Sequence, residues 1–199
     1  NLLDWHGVDV LLECTGQFRD GHQSSIHLEN GAKTVLISSP GYNVDRTVVY
    51  GVNHNDITVK DSIISSASCT TNCLAPIVKV LNDSLGIIRG SMTTIHSYTG
   101  DQATIDRRHD DLYRARAAAL SMIPTTTGAA KALKSVLPEM EGKIIGSAIR
   151  VPTPNVSCID LHFYSEQDVD VETVNELVKT ASENEMKGII GFETRPLVS

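Results

Sequence analysis

Ser65-Ser-Ala-Ser-Cys-Thr-Thr-Asn-Cys73 is the stretch on which the fold turns. A β-like run over residues 61–66 ends there in small residues. A helical pattern follows, with apolar residues at Ile77, Val80 and Leu81 on one face and Gly86 as its stop. Cys69 therefore falls where a strand hands over to a helix. The first turn of a helix presents free N–H groups and the positive end of the dipole. A thiolate is stabilised in that position, so its pKa is expected below the value of about 8.5 of a free cysteine. Ser68, Thr70 and Thr71 add hydrogen-bond donors, and the same N–H groups suit an oxyanion or a phosphate. The chemistry suggested is a nucleophilic thiol attacking a carbonyl, with an inert buried cysteine as the alternative at this point. Cys73, one turn on, reads as a packed helix residue. As a metal pair, Cys-x-x-x-Cys would need two further ligands, and none is near in sequence.

Upstream of this junction, residues 8–14 read as a strand and residues 20–30 as a helix closed by Gly31. Residues 34–38 form a second strand, stopped by Pro40-Gly41. Strand, helix and strand suggest a parallel βαβ unit. Residues 47–52 and 62–65 supply two more strands, so the first 68 residues read as part of an open α/β sheet. Downstream, residues 91–98 are strand-like. The charged stretch 99–116 is too long for a mere connector and reads as a functional loop. Thr127 and Gly128 open a short helix that runs through Leu137 and is stopped by Pro138. Residues 143–152 and 155–165 read as two strands joined at the turn-rich Pro152-Thr-Pro-Asn155. Asp170 is placed to cap a helix with Val174, Leu177, Val178 and Ala181 inward.

A thiol nucleophile needs a base, and seven histidines are available. His96 stands out because it ends a strand and precedes the loop from Ser97 to Asp101, the kind of handover where catalytic side chains sit. A structural strand histidine is the competing reading.

With 17 basic and 24 acidic residues, the formal net charge of −7 argues against nucleic acid or an anionic membrane as the main partner. No apolar run approaches the roughly 18–20 residues a bilayer crossing needs, and the first residues do not resemble a signal peptide. Four cysteines in 199 residues make no disulfide framework and favour a reducing compartment. Both ends are abrupt, which suggests part of a longer protein.

Five segments, in this order, resemble phosphorylating glyceraldehyde-3-phosphate dehydrogenases: Ser66-Ala-Ser-Cys-Thr-Thr-Asn-Cys-Leu-Ala-Pro76, His96-Ser-Tyr-Thr-Gly-Asp-Gln102, Arg114-Ala-Arg-Ala-Ala-Ala119, Ile123-Pro-Thr-Thr-Thr-Gly-Ala-Ala-Lys131 and Arg150-Val-Pro-Thr-Pro-Asn155. The resemblance implies α/β plus α+β architecture. Residues 1–68 would be the remaining part of a doubly wound NAD-binding domain, and residues 69–199 a catalytic domain with a large mixed sheet, incomplete at its C-terminal end. It implies a cytoplasmic, homotetrameric enzyme of glycolysis that uses NAD, glyceraldehyde 3-phosphate and inorganic phosphate. By the same resemblance Cys69 is the nucleophile and His96 its partner. Ser68, Thr70, Thr127, Gly128 and Arg150 match substrate and inorganic-phosphate contacts. Thr99, Asp101, Arg114 and Arg150 match the pocket for the substrate's own phosphate. Thr15, Gly16, Phe18 and Ser38 match the cofactor-facing edge, and no metal is implied.

The pattern also departs from the family. The Gly-x-Gly-x-x-Gly fingerprint, the acidic residue after the second strand and a C-terminal nicotinamide-contacting asparagine are absent, so the isolated chain is expected to bind NAD poorly. Tyr113 stands where a second arginine is common, and Arg107-Arg108 where Ala-Pro is common. Erythrose-4-phosphate dehydrogenase shares the Ser-Cys-Thr-Thr-Asn-Cys core, but the segments Tyr98-Thr-Gly-Asp101 and Thr125-Thr-Thr-Gly128 match the triose enzyme better. A catalytically silent binding protein on the same fold is the alternative from another class.

Overall fold

The structure is a computed structural model that describes residues 3–198. Two four-stranded sheets organise it. The first holds β1 (Val10–Glu13), β2 (Thr34–Ile37), β3 (Arg46–Thr47) and β4 (Ile63–Ser65), all parallel, in the order β1-β2-β4-β3. Helix α1 (Gly21–Glu29) crosses between β1 and β2. Asp20 starts it by accepting from the His22 N–H, as an aspartate before a helix does. Leu11, Val35, Ile37 and Ile63 form the core on one face, while Val10 and Leu12 alternate outward and are exposed.

Residues 47–52 read as a strand from their β-branched content, yet pairing stops at Thr47. Val48 makes one more ladder bond, to Ser65 O, and the chain then turns. Val49 is pulled out of the sheet into the core beneath the second sheet, and the Asn53 side chain holds the turn by accepting from Val49 N–H and donating to Thr47 O. Burial of a valine in another core outweighs its strand propensity.

The second sheet holds β5 (Ile87–Ser97), β6 (Ile123–Thr125), β7 (Ile144–Val151) and β8 (Ser157–Ser165), in the order β6-β7-β5-β8. It is mixed: β5 runs parallel to β7 and antiparallel to β8, and β6 runs antiparallel to β7. The strands on either side of Pro152-Thr-Pro-Asn155 therefore do not pair with each other but flank β5. Strand β6 was not anticipated, because three residues containing a proline carry little strand signal; the proline is tolerated because β6 lies at the sheet edge.

Helix α2 (Cys69–Leu85) buries Leu74, Ala75, Val78 and Leu81 against this sheet. The short helix α3 (Ala129–Ala132) and α4 (Val171–Glu183) complete the layer. Asp170 caps α4 as expected, accepting from Thr173 N–H at 2.8 Å. Ala181 is fully buried, and Val174, Leu177 and Val178 pack half-buried on the main core. Residues 99–116 are mostly irregular, with a single 3₁₀ turn at Tyr113–Ala115. Among the described residues, no helix is long and apolar enough to cross a membrane.

Candidate active site

The turn from β4 into α2 is strained. Ala67 sits at φ 60°, left-handed backbone that costs a non-glycine residue about 1–2 kcal/mol. It is buried, and its N–H donates to Ser65 Oγ at 3.1 Å. Strain of this kind survives where the surroundings over-determine the backbone, as they do around reactive groups. Ser68 follows as the helix N-cap. Its Oγ accepts from Thr71 N–H at 3.0 Å and pairs with the Thr71 hydroxyl at 2.7 Å. Cys69 is thus the first helical residue, solvent-exposed, with Sγ 3.3 Å from His96 Nε2.

His96 is 5% exposed. The parallel register of β5 and β7 sets it directly beside Arg150, on the face that looks toward α2. Its Nδ1 lies 2.7 Å from the Ser97 carbonyl oxygen and 2.5 Å from Arg150 Nη1. Arg150 Nη1 also donates to Ser97 O at 2.8 Å. Burial holds the His96 pKa below the usual imidazole value; the Ser97 carbonyl opposes this and the Arg150 charge reinforces it. The ring is therefore neutral near pH 7. Burial also lowers the Arg150 pKa, Cys69 and Asp101 opposing and Arg114 adding to the effect, though a guanidinium stays charged throughout the working range.

A cavity of about 410 Å³ opens on this group, at the junction of the two sheets. Ser68, Cys69, Thr70, His96, Thr127, Gly128 and Arg150 all line it, so seven of the residues singled out in the sequence meet in one place. Thr127 opens the turn into α3, where its Oγ1 accepts from Ala129 N–H at 3.1 Å. Thr47 of β3 and Pro40, Gly41 and Tyr42 from the segment between β2 and β3 also line it. Sequence reasoning saw Pro40-Gly41 only as a strand stop. It also missed Thr94, two residues before His96 on the same strand face. The Thr94 Oγ1 and Arg150 Nε atoms are buried without a protein partner among the described residues, and both side chains line the cavity. Period-2 alternation along β5 was the available signal for Thr94.

Thr99, Asp101 and Arg114 form a neighbouring cluster outside the walls of this cavity. Arg114 donates to Asp101 Oδ2 at 2.5 Å and, through Nε and Nη2, to Thr125 Oγ1 at 3.0 and 2.8 Å. Gln102 ties the turn by accepting from Thr99 N–H and donating to Asp101. Arg114 and Asp101 both act electrostatically on Arg150, so the cluster borders the thiol site. Tyr113 is exposed.

Thr15, Gly16, Phe18 and Ser38 gather elsewhere, at the carboxyl ends of β1 and β2. Glu13 accepts from both the N–H and the hydroxyl of Thr15, Gly16 takes φ 74°, and Ser38 N–H donates to Glu13 O. Phe18 stacks edge-on to His27, which is itself buried against Glu13 at 3.1 Å. None of the four lines the thiol cavity.

The packed-residue reading of Cys73 is corrected. Leu74 and Val78 define the inward face of α2, and Cys73 lies off it, exposed. It lines a second cavity, of about 510 Å³, that shares Cys69 and His96 with the first. Partial burial, with Cys158 and Cys69 adding, pushes the Cys73 thiol pKa up. Among the described residues no group of three or more His, Cys, Asp or Glu gathers as a metal site.

A parallel sheet and a mixed sheet that meet at a helix-mouth thiol, itself within reach of a buried imidazole, define an α/β protein of the thiol–imidazole type. Comparison with known proteins narrows the class. The family model described as glyceraldehyde 3-phosphate dehydrogenase, C-terminal domain, matches residues 68–199. The glyceraldehyde-3-phosphate dehydrogenase of Cereibacter sphaeroides is 58% identical over 197 residues, 99% of this chain and 59% of the relative. That of Xanthobacter flavus is 58% identical over 97% of this chain and 58% of its own length, and that of Geobacillus stearothermophilus 56% over the same shares. The chain belongs to the glyceraldehyde-3-phosphate dehydrogenase family, and it spans about three-fifths of the length of the curated relatives it matches.

Proposed function

We propose that this chain carries the catalytic centre of a phosphorylating, NAD-dependent glyceraldehyde-3-phosphate dehydrogenase. The observation that carries the reading is the 3.3 Å approach of Cys69 Sγ to His96 Nε2 at the mouth of α2, facing a cavity that Arg150 lines. The Cys69 sulfur adds to the aldehyde carbon of glyceraldehyde 3-phosphate and forms a thiohemiacetal. His96 takes the hydroxyl proton as hydride departs, a role that contributes about 10²- to 10⁴-fold. Cys69 is left as a thioester, so one hard oxidation is divided into two easier steps. Inorganic phosphate, held by Thr127, Gly128 and Arg150 with Ser68 and Thr70 nearby, then attacks the thioester and releases the acyl phosphate. Thr99, Asp101 and Arg114 serve the substrate's own phosphate.

NAD, when bound, supplies the hydride acceptor. The residues present fit one side of such a group. Thr15, Gly16, Phe18 and Ser38 stand at the carboxyl ends of parallel strands, where dinucleotides dock, and the buried Ser39 Oγ beside them has no protein partner among the described residues. Residues 1–68 are read accordingly as part of the nucleotide-binding domain and residues 69–199 as catalytic domain. Assembly into a homotetramer is supported by the outer face of the mixed sheet, where Ile95, Ile145 and Tyr164 are exposed. A cytoplasmic location follows from the proposed role in glycolysis.

The test is a pre-steady-state assay on the full-length enzyme. Cys69→Ser abolishes the burst of reduced cofactor. His96→Asn retains thiohemiacetal formation and slows the hydride step about 10²-fold or more. An undiminished burst in either variant removes the assignment.

A further inference from the structure

Helix α1 buries an unexpected set of residues. Its buried positions are Gly21, Ser24 and His27, three apart along one face. A helix packed on a sheet ordinarily buries an apolar stripe, and a buried polar group costs free energy unless it is bonded. Here both polar side chains reach back to the segment that follows β1. Ser24 Oγ donates to Phe18 O at 2.7 Å. His27 Nε2 lies 3.1 Å from Glu13 Oε2, and the ring packs edge-on to Phe18 with centroids 5.0 Å apart. Glu13 ends β1 and is 4% exposed. Its carboxyl is ionised at neutral pH, and a carboxylate only accepts, so the imidazole donates to it. The other oxygen, Oε1, takes both donors of Thr15, the backbone N–H at 2.7 Å and the hydroxyl. Thr15 Oγ1 in turn accepts from Gln17 N–H at 3.2 Å. One carboxylate therefore joins β1, the turn at Gly16 and α1.

We propose that Glu13 is a positioning residue for the cofactor edge: braced by His27 from α1, its carboxylate sets Thr15 and Gly16 in the arrangement that receives NAD. This rests on the reading of Thr15, Gly16, Phe18 and Ser38 as that edge and deepens it. Stability alone does not account for the pair. Apolar side chains of similar volume in place of a buried carboxylate and its partner are often neutral or stabilising. The site even gives up hydrogen bonds to keep the ring: His27 Nδ1 and the adjoining Trp5 Nε1 are buried without a partner among the described residues. What the carboxylate secures is the orientation of Thr15, held as a binding edge is held by locked, hydrogen-bonded neighbours. Thr15 spends both donors inward on Glu13. The cofactor therefore meets a fixed turn, with Gly16 at φ 74° at its head, and not a freely rotating hydroxyl. His27 and Ser24 hold the far end of the same segment through Phe18, so α1 anchors both ends of the edge.

The test is calorimetric titration of NAD into the full-length enzyme and its variants. Glu13→Gln keeps the shape and one acceptor but loses the charge, and it weakens NAD about tenfold, the effect of losing one charge-assisted bond. Thr15→Val weakens NAD by a similar factor. The double variant is within about twofold of either single one, because both substitutions act through the same contact. His27→Gln keeps a donor for the carboxylate and stays within about twofold of the parent, whereas His27→Leu keeps the bulk without the donor and weakens NAD about fivefold or more. An affinity of Glu13→Gln within about twofold of the parent's overturns the inference, and so does a double variant about 100-fold weaker, the product expected of independent sites. Equal losses in the two His27 variants overturn it as well, and this pair decides the matter if Glu13→Gln does not fold. A parent that binds no NAD rejects the cofactor reading and this inference together. A parent that binds NAD, with variants that bind it equally well, rejects the inference alone.

Discussion

Ser68→Ala tests how far the helix mouth depends on a single hydroxyl. The Ser68 Oγ accepts from Thr71 N–H at 3.0 Å and pairs with the Thr71 hydroxyl at 2.7 Å. Loss of an N-cap hydroxyl costs about 1 kcal/mol. Thr71 is 0% exposed, so its own hydroxyl is left without that partner in a place water does not reach. An unmade buried hydrogen bond adds about 1 kcal/mol at the low end of its range. The expected loss is about 2 kcal/mol, roughly a 30-fold fall in the folded-to-unfolded ratio. Urea unfolding reads it as a lower midpoint at unchanged slope. Ser68→Asp keeps an acceptor for the N–H and recovers most of the loss. Alkylation of Cys69 slows in Ser68→Ala, because the first turn that seats the sulfur 3.3 Å from His96 is loosened. A loss below about 0.5 kcal/mol, under the range for an N-cap, or an alkylation rate equal to the parent's, refutes the reasoning.

Glu13 carries an acid-sensitive element. Burial pushes its carboxyl up, but the hydroxyl and N–H of Thr15 and the ring of His27 outweigh that, and the net shift is downward. Its contribution is therefore present above the unfolded value of about 4.3 and is lost as pH falls through the lower folded value. Glu13→Gln removes this component, so the urea midpoint of the variant drops less than the parent's below about pH 4.3; parallel curves would show that the carboxylate plays no such part. Cys73 is exposed but has a raised thiol pKa. In Cys69→Ser its alkylation by iodoacetamide is slow near pH 7 and still climbing above about pH 9, beyond the usual thiol value. A plateau reached by about pH 8 contradicts the shift.

Local signals and long-range ones separated cleanly in this chain. Asp170 was legible as a helix cap and caps α4 where its spacing placed it, while Asp20 and Ser68, which cap α1 and α2, were read only as the first residue of a helical run and as a hydrogen-bond donor. The parallel β1-α1-β2 unit was legible for the same reason, since a strand, a helix and a strand in series have few ways to pack. The segment at Thr47–Val52 was misread because its β-branched residues carry no record of which core Val49 enters. The strands either side of Pro152-Thr-Pro-Asn155 were found, but their insertion on opposite flanks of β5 was not. Cys73 was placed inward because helical spacing names a face only once the buried stripe is known.

The sequence by itself determined that a thiol stands at the first turn of a helix. Capping depends on residues three or four positions apart, and such contacts form wherever the chain goes. Only the tertiary structure decided what that thiol meets. His96 lies 27 residues beyond Cys69, and Arg150 another 54 beyond that. The register of β5 on β7 sets imidazole and guanidinium side by side, and the packing of α2 on the same sheet face brings the sulfur to them. Strand register is chosen by hydrogen bonds and burial summed over the whole sheet, which is why no single motif contains it.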